Sequence, residues 1–210
     1  MKVIFLDVDG VINCKNTTDI CMGFMGIEDR LVKKLKKIVK ATKAKIVLTS
    51  TWRYYWEPND KDGQDEMGTY LDRKLSKQGL YILDKTDPNC LFARGRGIHE
   101  WLKDRYVESF VILDDLAHDF EETKLKKYWI KTFNVRDGGI TDEDVEKAIK
   151  ILNGNTSGGV KMSKYCPLLN RKVVCLECNE CKDKACNKKT EGVSKSIPVE
   201  ESSDNAEEGL

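Results

Sequence analysis

An excess of charge of either sign is missing from this chain of 210 residues: Lys and Arg total 36 against 35 Asp and Glu, a formal net charge of +1. That balance removes any global electrostatic argument for nucleic acid or an anionic membrane and leaves only local patches to carry one. Long apolar runs are missing too. None approaches the roughly 20 residues that span a bilayer, and the first residues enter a short strand pattern with no apolar leader, so the expectation is a cytoplasmic protein with no membrane association. Histidine is scarce, and the two present, His99 and His118, read as surface or supporting residues rather than catalytic ones. There is no internal repeat. The length excludes two large domains and suits one well-buried α/β domain with a remainder. Cysteine is not scarce. Without an export signal, the eight cysteines read as free thiols or metal ligands rather than disulfides.

What is present begins at Val3-Ile4-Phe5-Leu6, a continuous apolar run that reads as a strand buried on both faces of a parallel sheet. Asp7-Val8-Asp9-Gly10 follows. Ligands of open α/β sheets bind at the carboxyl ends of strands, and the period-2 alternation of extended chain predicts that Asp7 and Asp9 project to the same side. Gly10 allows a tight turn beside a ligand. Two further apolar strands end in polar groups: Lys45–Leu48 runs into Thr49-Ser50-Thr51-Trp52-Arg53, and Phe110–Leu113 runs into Asp114-Asp115. Helices are expected from Ile27 through Ile38, around Tyr70–Leu80 with Gly79 at its end, after the glycine-rich basic loop Arg94-Gly95-Arg96-Gly97, and over Thr141–Leu152 with Thr141 as N-cap. Short strands are expected at Tyr81–Leu83 and Tyr128–Val135. Alternating strands and helices predict an α/β architecture with a doubly wound parallel sheet. Residues 1–153 form the expected domain, 154–164 a linker, 165–187 a small cysteine-rich C-terminal segment and 188–210 a disordered tail.

Carboxylates, hydroxyls and a cation gathered at strand ends suit phosphoryl chemistry. An anionic carboxylate approaches a phosphoryl group only when cations neutralise both, and Mg2+ prefers such oxygen ligands. Asp7 and Asp114 are candidate ligands, with Asp115 or Asp119 completing or orienting the shell; helix N-capping is the other reading of Asp115 and Asp119. Asp7 is the candidate nucleophile, forming an aspartyl-phosphate. Asp9 is the candidate acid and base, a role that calls for a raised carboxyl pKa. Thr49 or Ser50 supplies a hydroxyl for phosphate, and Arg94 supplies permanent charge, with Arg96 and Arg53 as rivals. Trp52 and Arg53 read two ways: stacking on a base and gripping a phosphate, or a packed Trp beside a structural Arg ion pair.

The order Asp-x-Asp-Gly, strand-Thr-Ser, basic residue, strand-Asp-Asp-x-x-x-Asp resembles the haloacid dehalogenase-like (HAD) hydrolases. More narrowly, Phe5–Asn13, Thr49–Arg53, Arg94-Gly95 with Ile98 and Trp101-Leu102, and Ile112–Asp115 look like the HAD domain associated with Swiss Army Knife RNA repair proteins, over about residues 1–153. The resemblance implies a Rossmann-like HAD fold and a phosphatase. It implies catalytic Asp7 and Asp9, phosphate binding by Thr49 or Ser50 and Arg94, and Mg2+ held by Asp7, Asp9, Asp114 and Asp115. Arg94 stands where most of the superfamily has Lys. Only residues 13–26 and 54–93 can cover the site, so the cap is minimal and a bulky substrate such as a nucleotide or an RNA or DNA end is admitted; a phosphorylated small molecule is the other substrate class. A dehalogenase would need the Asp7 nucleophile without the full magnesium shell.

Cys166, Cys175, Cys178, Cys181 and Cys186 run C-x8-C-x2-C-x2-C-x4-C, a metal-ligand spacing that favours tetrahedral Zn2+ over an iron–sulfur cluster, with unmetallated thiols as the plain reading. A different function would follow if this segment recruits nucleic acid: the chain would be a non-catalytic phosphate or nucleic-acid binding or regulatory module.

Overall fold

The computed structural model describes residues 1–58, 64–90, 92–103, 105–132 and 138–154, and the backbone of two short strands at 163–166 and 171–174. In chain order the elements are β1 (Lys2–Leu6), a small hairpin β2 (Ile20–Cys21) and β3 (Phe24–Met25), α1 (Asp29–Thr42), β4 (Lys45–Leu48), α2 (Glu66–Ser76), β5 (Ile82–Lys85), α3 (Arg94–Lys103), β6 (Ser109–Asp114), β7 (Trp129–Lys131) and α4 (Asp142–Leu152). A separate antiparallel pair, β8 (Ser163–Cys166) and β9 (Arg171–Val174), follows.

Five strands form one parallel sheet in the order β5-β4-β1-β6-β7. The chain winds outward from β1 through β4 to β5, then crosses to β6 and β7, so its direction reverses beside β1. Crevices at such reversals are where open α/β sheets bind ligands. The sheet is covered on both faces, and the period-2 alternation of β1 divides the core accordingly. Ile4 and Leu6 face the cluster built with Leu31, Leu35 and Ile38 of α1, Leu71 and Leu75 of α2 and Val145 and Ala148 of α4. Val3 and Phe5 face the cluster of Ile98, Trp101 and Leu102 of α3 with Phe110, Ile112 and Phe120. All four β1 side chains are fully buried, each contributing about 1.5–3 kcal/mol of transfer free energy. The expected doubly wound sheet is thus the observed one.

Helix ends follow their sequence signals. α1 buries Leu31, Val32, Leu35, Ile38 and Thr42 at helical spacing and stops where Lys43 takes a left-handed φ of 60°. Thr141 and Asp144 form a capping box at the start of α4. Two expectations are corrected. The Arg94-Gly95-Arg96-Gly97 stretch is the first turn of α3, not a loop before it, because the Asp119 carboxylate accepts the N–H groups of Gly95 and Arg96 at 2.6 and 3.1 Å. The strand expected over Tyr128–Val135 is confined, among the described residues, to Trp129–Lys131, since Tyr128 ends a 3-10 turn; residues 133–137 lie outside the described residues. Residues 13–26, a flap beside the Asp7 strand end, contain the β2–β3 hairpin.

The sheet's hydrogen bonding continues one residue past the strands. Asp7 N–H donates to Leu113 O at 2.9 Å, Thr49 N–H to Leu6 O at 2.9 Å, Thr86 N–H to Leu48 O at 3.0 Å and Thr132 N–H to Asp114 O at 3.2 Å. Each polar strand-end residue is therefore tied to its neighbour by main chain.

Candidate active site

Asp7, at the end of β1, is 2% exposed. Its Oδ1 lies 2.9 Å from Arg94 Nη1, which also reaches Asp114 Oδ2 at 2.6 Å, so one buried guanidinium stands between the two carboxylates. The Ser50 side chain lies close enough to favour the ionised Asp7 carboxylate. Burial, and next the charge of Asp114, push the Asp7 carboxyl up to about 7 against the pull of Arg94 and Ser50. Asp115, half-buried, is raised for the same two reasons, burial first and Asp114 second. Asp7, Asp114 and Asp115 offer oxygens that all lie within 4.8 Å of one another. The charge is unbalanced: three carboxylates face one Arg94. A hard divalent cation fits this donor set, because oxygen ligands at this spacing suit it and its charge answers the repulsion that raises Asp7 and Asp115.

The expectation that Asp7 and Asp9 act on one side as a shared pair is corrected: β1 ends at Leu6 and Asp9 sits in the turn that follows, so the two aspartates have different surroundings. Asp9 is exposed and outside the 4.8 Å carboxylate set; its Oδ1 accepts Asn13 Nδ2 at 2.8 Å and its Oδ2 accepts the Trp52 indole N–H at 3.1 Å. The turn that begins at Asp9 depends on Gly10. Its φ is +74°, and a Cβ there would lie 2.4 Å from Asp115 Oδ2, so a side chain meets both backbone strain and the third carboxylate of the cluster. Thr132 Oγ1 donates to Gly10 O at 2.8 Å, and Asn13 Oδ1 accepts the Gly10 N–H at 2.9 Å.

Thr49 and Ser50 are both fully buried at the end of β4. Ser50 is the hydroxyl in contact with Asp7, while Thr49 Oγ1 is buried with no hydrogen-bond partner. Arg94 is the arginine brought to the carboxylates; Arg96 is exposed on α3. Asp119 is engaged with the first turn of α3 and lies outside the carboxylate cluster, so it positions Arg94 by anchoring the turn that carries it. Gly95 permits that packing, since a Cβ there would meet Thr123 Oγ1 at 2.3 Å. Trp52, at 2% exposure, presents no face to stack on a base, and Arg53 is fully buried with no ion pair among the described residues. His118 Nε2 lies 3.4 Å from Asp114 Oδ1, and His99 pairs with Thr123 O at 2.9 Å.

Several supporting residues escape a reading of the sequence. Trp129 Nε1 donates to Asp114 O at 2.8 Å, and Leu116 N–H to Asp114 Oδ1 at 2.9 Å. Asn13 carries a signal, an amide a few residues after Asp9 within a turn. Thr132 and Trp129 carry none, because they arrive from another strand. Of the candidate zinc ligands, Cys175, Cys178, Cys181 and Cys186 lie outside the described residues, and only the backbone is described at Cys166.

No curated protein and no solved structure matches the chain. Residues 3–145, more than half of the chain, match the family model of the HAD domain in Swiss Army Knife RNA repair proteins, and the chain belongs to that family of HAD-like hydrolases.

Proposed function

We propose that the chain is a magnesium-dependent phosphomonoester hydrolase with Asp7 as nucleophile and Asp9 as acid and base. The observation that carries the reading is the convergence on Asp7 of Arg94, Ser50 and the Asp114–Asp115 pair. Hydrolases of this family generally use Mg2+, and Asp7, Asp114 and Asp115 would hold it here. When bound, it supplies charge neutralisation that favours the ionised Asp7 and stabilises the transferring phosphoryl group.

Asp7 attacks phosphorus, the P–O bond to the leaving group breaks, and Asp9 gives its proton to the departing oxygen. Water then attacks the aspartyl-phosphate with Asp9 taking its proton, and the Asp7–phosphorus bond breaks to release inorganic phosphate. Arg94 and Ser50 orient Asp7 and bind non-bridging oxygens, and Thr49 Oγ1, without an internal partner, is a further donor for them. The family's description makes phosphorylated RNA ends and nucleotides the first substrates to compare with small phosphate esters.

Magnesium-dependent phosphate release should fall by about 10³-fold or more in Asp7→Asn while the circular dichroism spectrum is unchanged. A wild-type protein inert toward a broad phosphate panel, or an Asp7→Asn variant that retains its rate, overturns the reading.

A further inference from the structure

Arg53 is sealed at 0% exposure, beside the strand end that carries Thr49 and Ser50. Its Nη1 donates to the main-chain carbonyls of both residues, at 3.0 Å to Ser50 O. The remaining donors, Nε and Nη2, are buried without a hydrogen-bond partner, and no carboxylate pairs with the guanidinium among the described residues. The Tyr54 ring lies 5.6 Å from its Cζ. Arg94 is the reverse case, flanked by Asp7 and Asp114.

A buried cation without a counter-ion is costly, because nothing offsets the removal of its charge from water. Burial, and next the charge of Arg94, pull the Arg53 guanidinium below its ordinary pKa, which is the same imbalance seen from the group itself. The charges of the site say what would relieve it. Three carboxylates, Arg94 and one divalent cation sum to neutrality, so an arriving phosphoryl dianion finds no spare positive charge in that set. Arg53 is the spare charge. The residue whose carbonyl it grips, Thr49, also carries the unpartnered hydroxyl.

We propose that Arg53 is a positioning residue of the phosphate subsite: it clamps the Thr49 and Ser50 carbonyls to fix the hydroxyls above them, and its uncompensated charge is balanced by the phosphoryl group when that group binds. This rests on the phosphatase reading. The clamp acts through the loop rather than by contact with substrate, because every guanidinium atom is enclosed.

The test uses the full chain with Mg2+ at matched ionic strength and reads the thermal shift given by inorganic phosphate, together with KM and kcat for a phosphate ester. The wild type is stabilised by phosphate. Arg53→Met keeps or raises the ligand-free melting temperature, weakens phosphate binding and raises KM by about tenfold, and leaves kcat within about threefold. Arg53→Lys restores part of the affinity, since it keeps the charge but lacks the rigid planar group that holds Nη1 between the two carbonyls. Should Arg53→Met fail to fold, Arg53→Gln, which keeps a donor without the charge, must show the same loss of phosphate affinity. Equal phosphate response in wild type and the folded neutral variant overturns this proposal alone. A wild type with no phosphate response overturns the phosphatase reading and this proposal with it.

Discussion

Asp9 is held from two sides, by Asn13 Nδ2 at 2.8 Å and by the Trp52 indole at 3.1 Å, and this fixes where its carboxyl can exchange a proton. Trp52 is thus a positioning residue for the acid and base proposed at Asp9. Replacing it by Phe removes the N–H donor and keeps an aromatic ring in the core, so Trp52→Phe should lower kcat by about tenfold, the equivalent of one hydrogen bond to a charged group. Combined with Asp9→Asn it should add almost nothing, because the carboxyl that Trp52 positions is already gone; additive losses in steady-state kinetics would show that Trp52 acts elsewhere. At this scale the sequence is an uneven guide. Asp7, Asp114 and the Thr49-Ser50 pair are legible because each begins directly after an uninterrupted apolar run, whereas the choice between the two hydroxyls is not. The tasks of Trp52, Thr132 and Trp129 are not, because their partners lie in other segments of the chain and only the folded sheet brings them together. Asp119 illustrates the reverse error. Its place after Asp114-Asp115 suggests a metal ligand, but two main-chain N–H groups at the start of α3 claim its carboxylate.

Among the elements, the β2–β3 hairpin stands out for its anchorage. Asp19, at its root, accepts the Tyr70 hydroxyl at 2.7 Å and pairs with Lys74 at 2.9 Å, and Lys74 also reaches Asp29 at 2.6 Å, so α2 ties the flap to the start of α1. Lys74, and next Tyr70, hold the Asp19 carboxyl below its ordinary value of 3.8. A lowered folded-state pKa means that the unfolded chain binds more protons, so the contribution is full above the ordinary value and is lost as pH falls through the lowered one. Asp19→Asn should therefore lower the melting temperature by about 1–2 °C at pH 7, a modest effect because the side chain is partly exposed, and the difference from wild type should shrink below about pH 4. A difference that stays constant between pH 7 and pH 3 would mean that charge plays no part in the anchor. The helices and strands themselves are largely legible, since apolar periodicity and capping are local. The start of α3 is not, because a distant carboxylate rather than its own sequence satisfies its first N–H groups.

The molecule as a whole divides by how its sequence is used. The family match spans residues 3–145, and α4 closes the sheet through Ser109 Oγ to Leu152 O at 2.7 Å and Lys2 Nζ to Asn153 Oδ1 at 2.7 Å. A chain cut after Gly154 keeps both bonds and should melt within about 2 °C of the full protein, with its phosphatase rate intact. The zinc proposed for Cys166, Cys175, Cys178, Cys181 and Cys186 should vanish with the cut. Elemental analysis should find about one zinc in the full chain and none in the shortened one; a full chain without zinc sinks that proposal, and a shortened chain that unfolds sinks the domain boundary. Among the described residues no helix is long and apolar enough to cross a membrane.

The ladder bonds that run on through Asp7, Thr49, Thr86 and Thr132 also bear on how such a chain can vary. An inserted residue within one of these strands would shift its terminal polar group by about 3.3 Å and turn it to the opposite face. An insertion in the loops beyond disturbs none of them. Changes of length are thereby confined to segments such as the hairpin after β1 and the stretch between β4 and α2. Over evolutionary time the choice of molecule admitted to the crevice is free to drift, while the gauge between Asp7 and the Asp114–Asp115 pair stays set by the sheet.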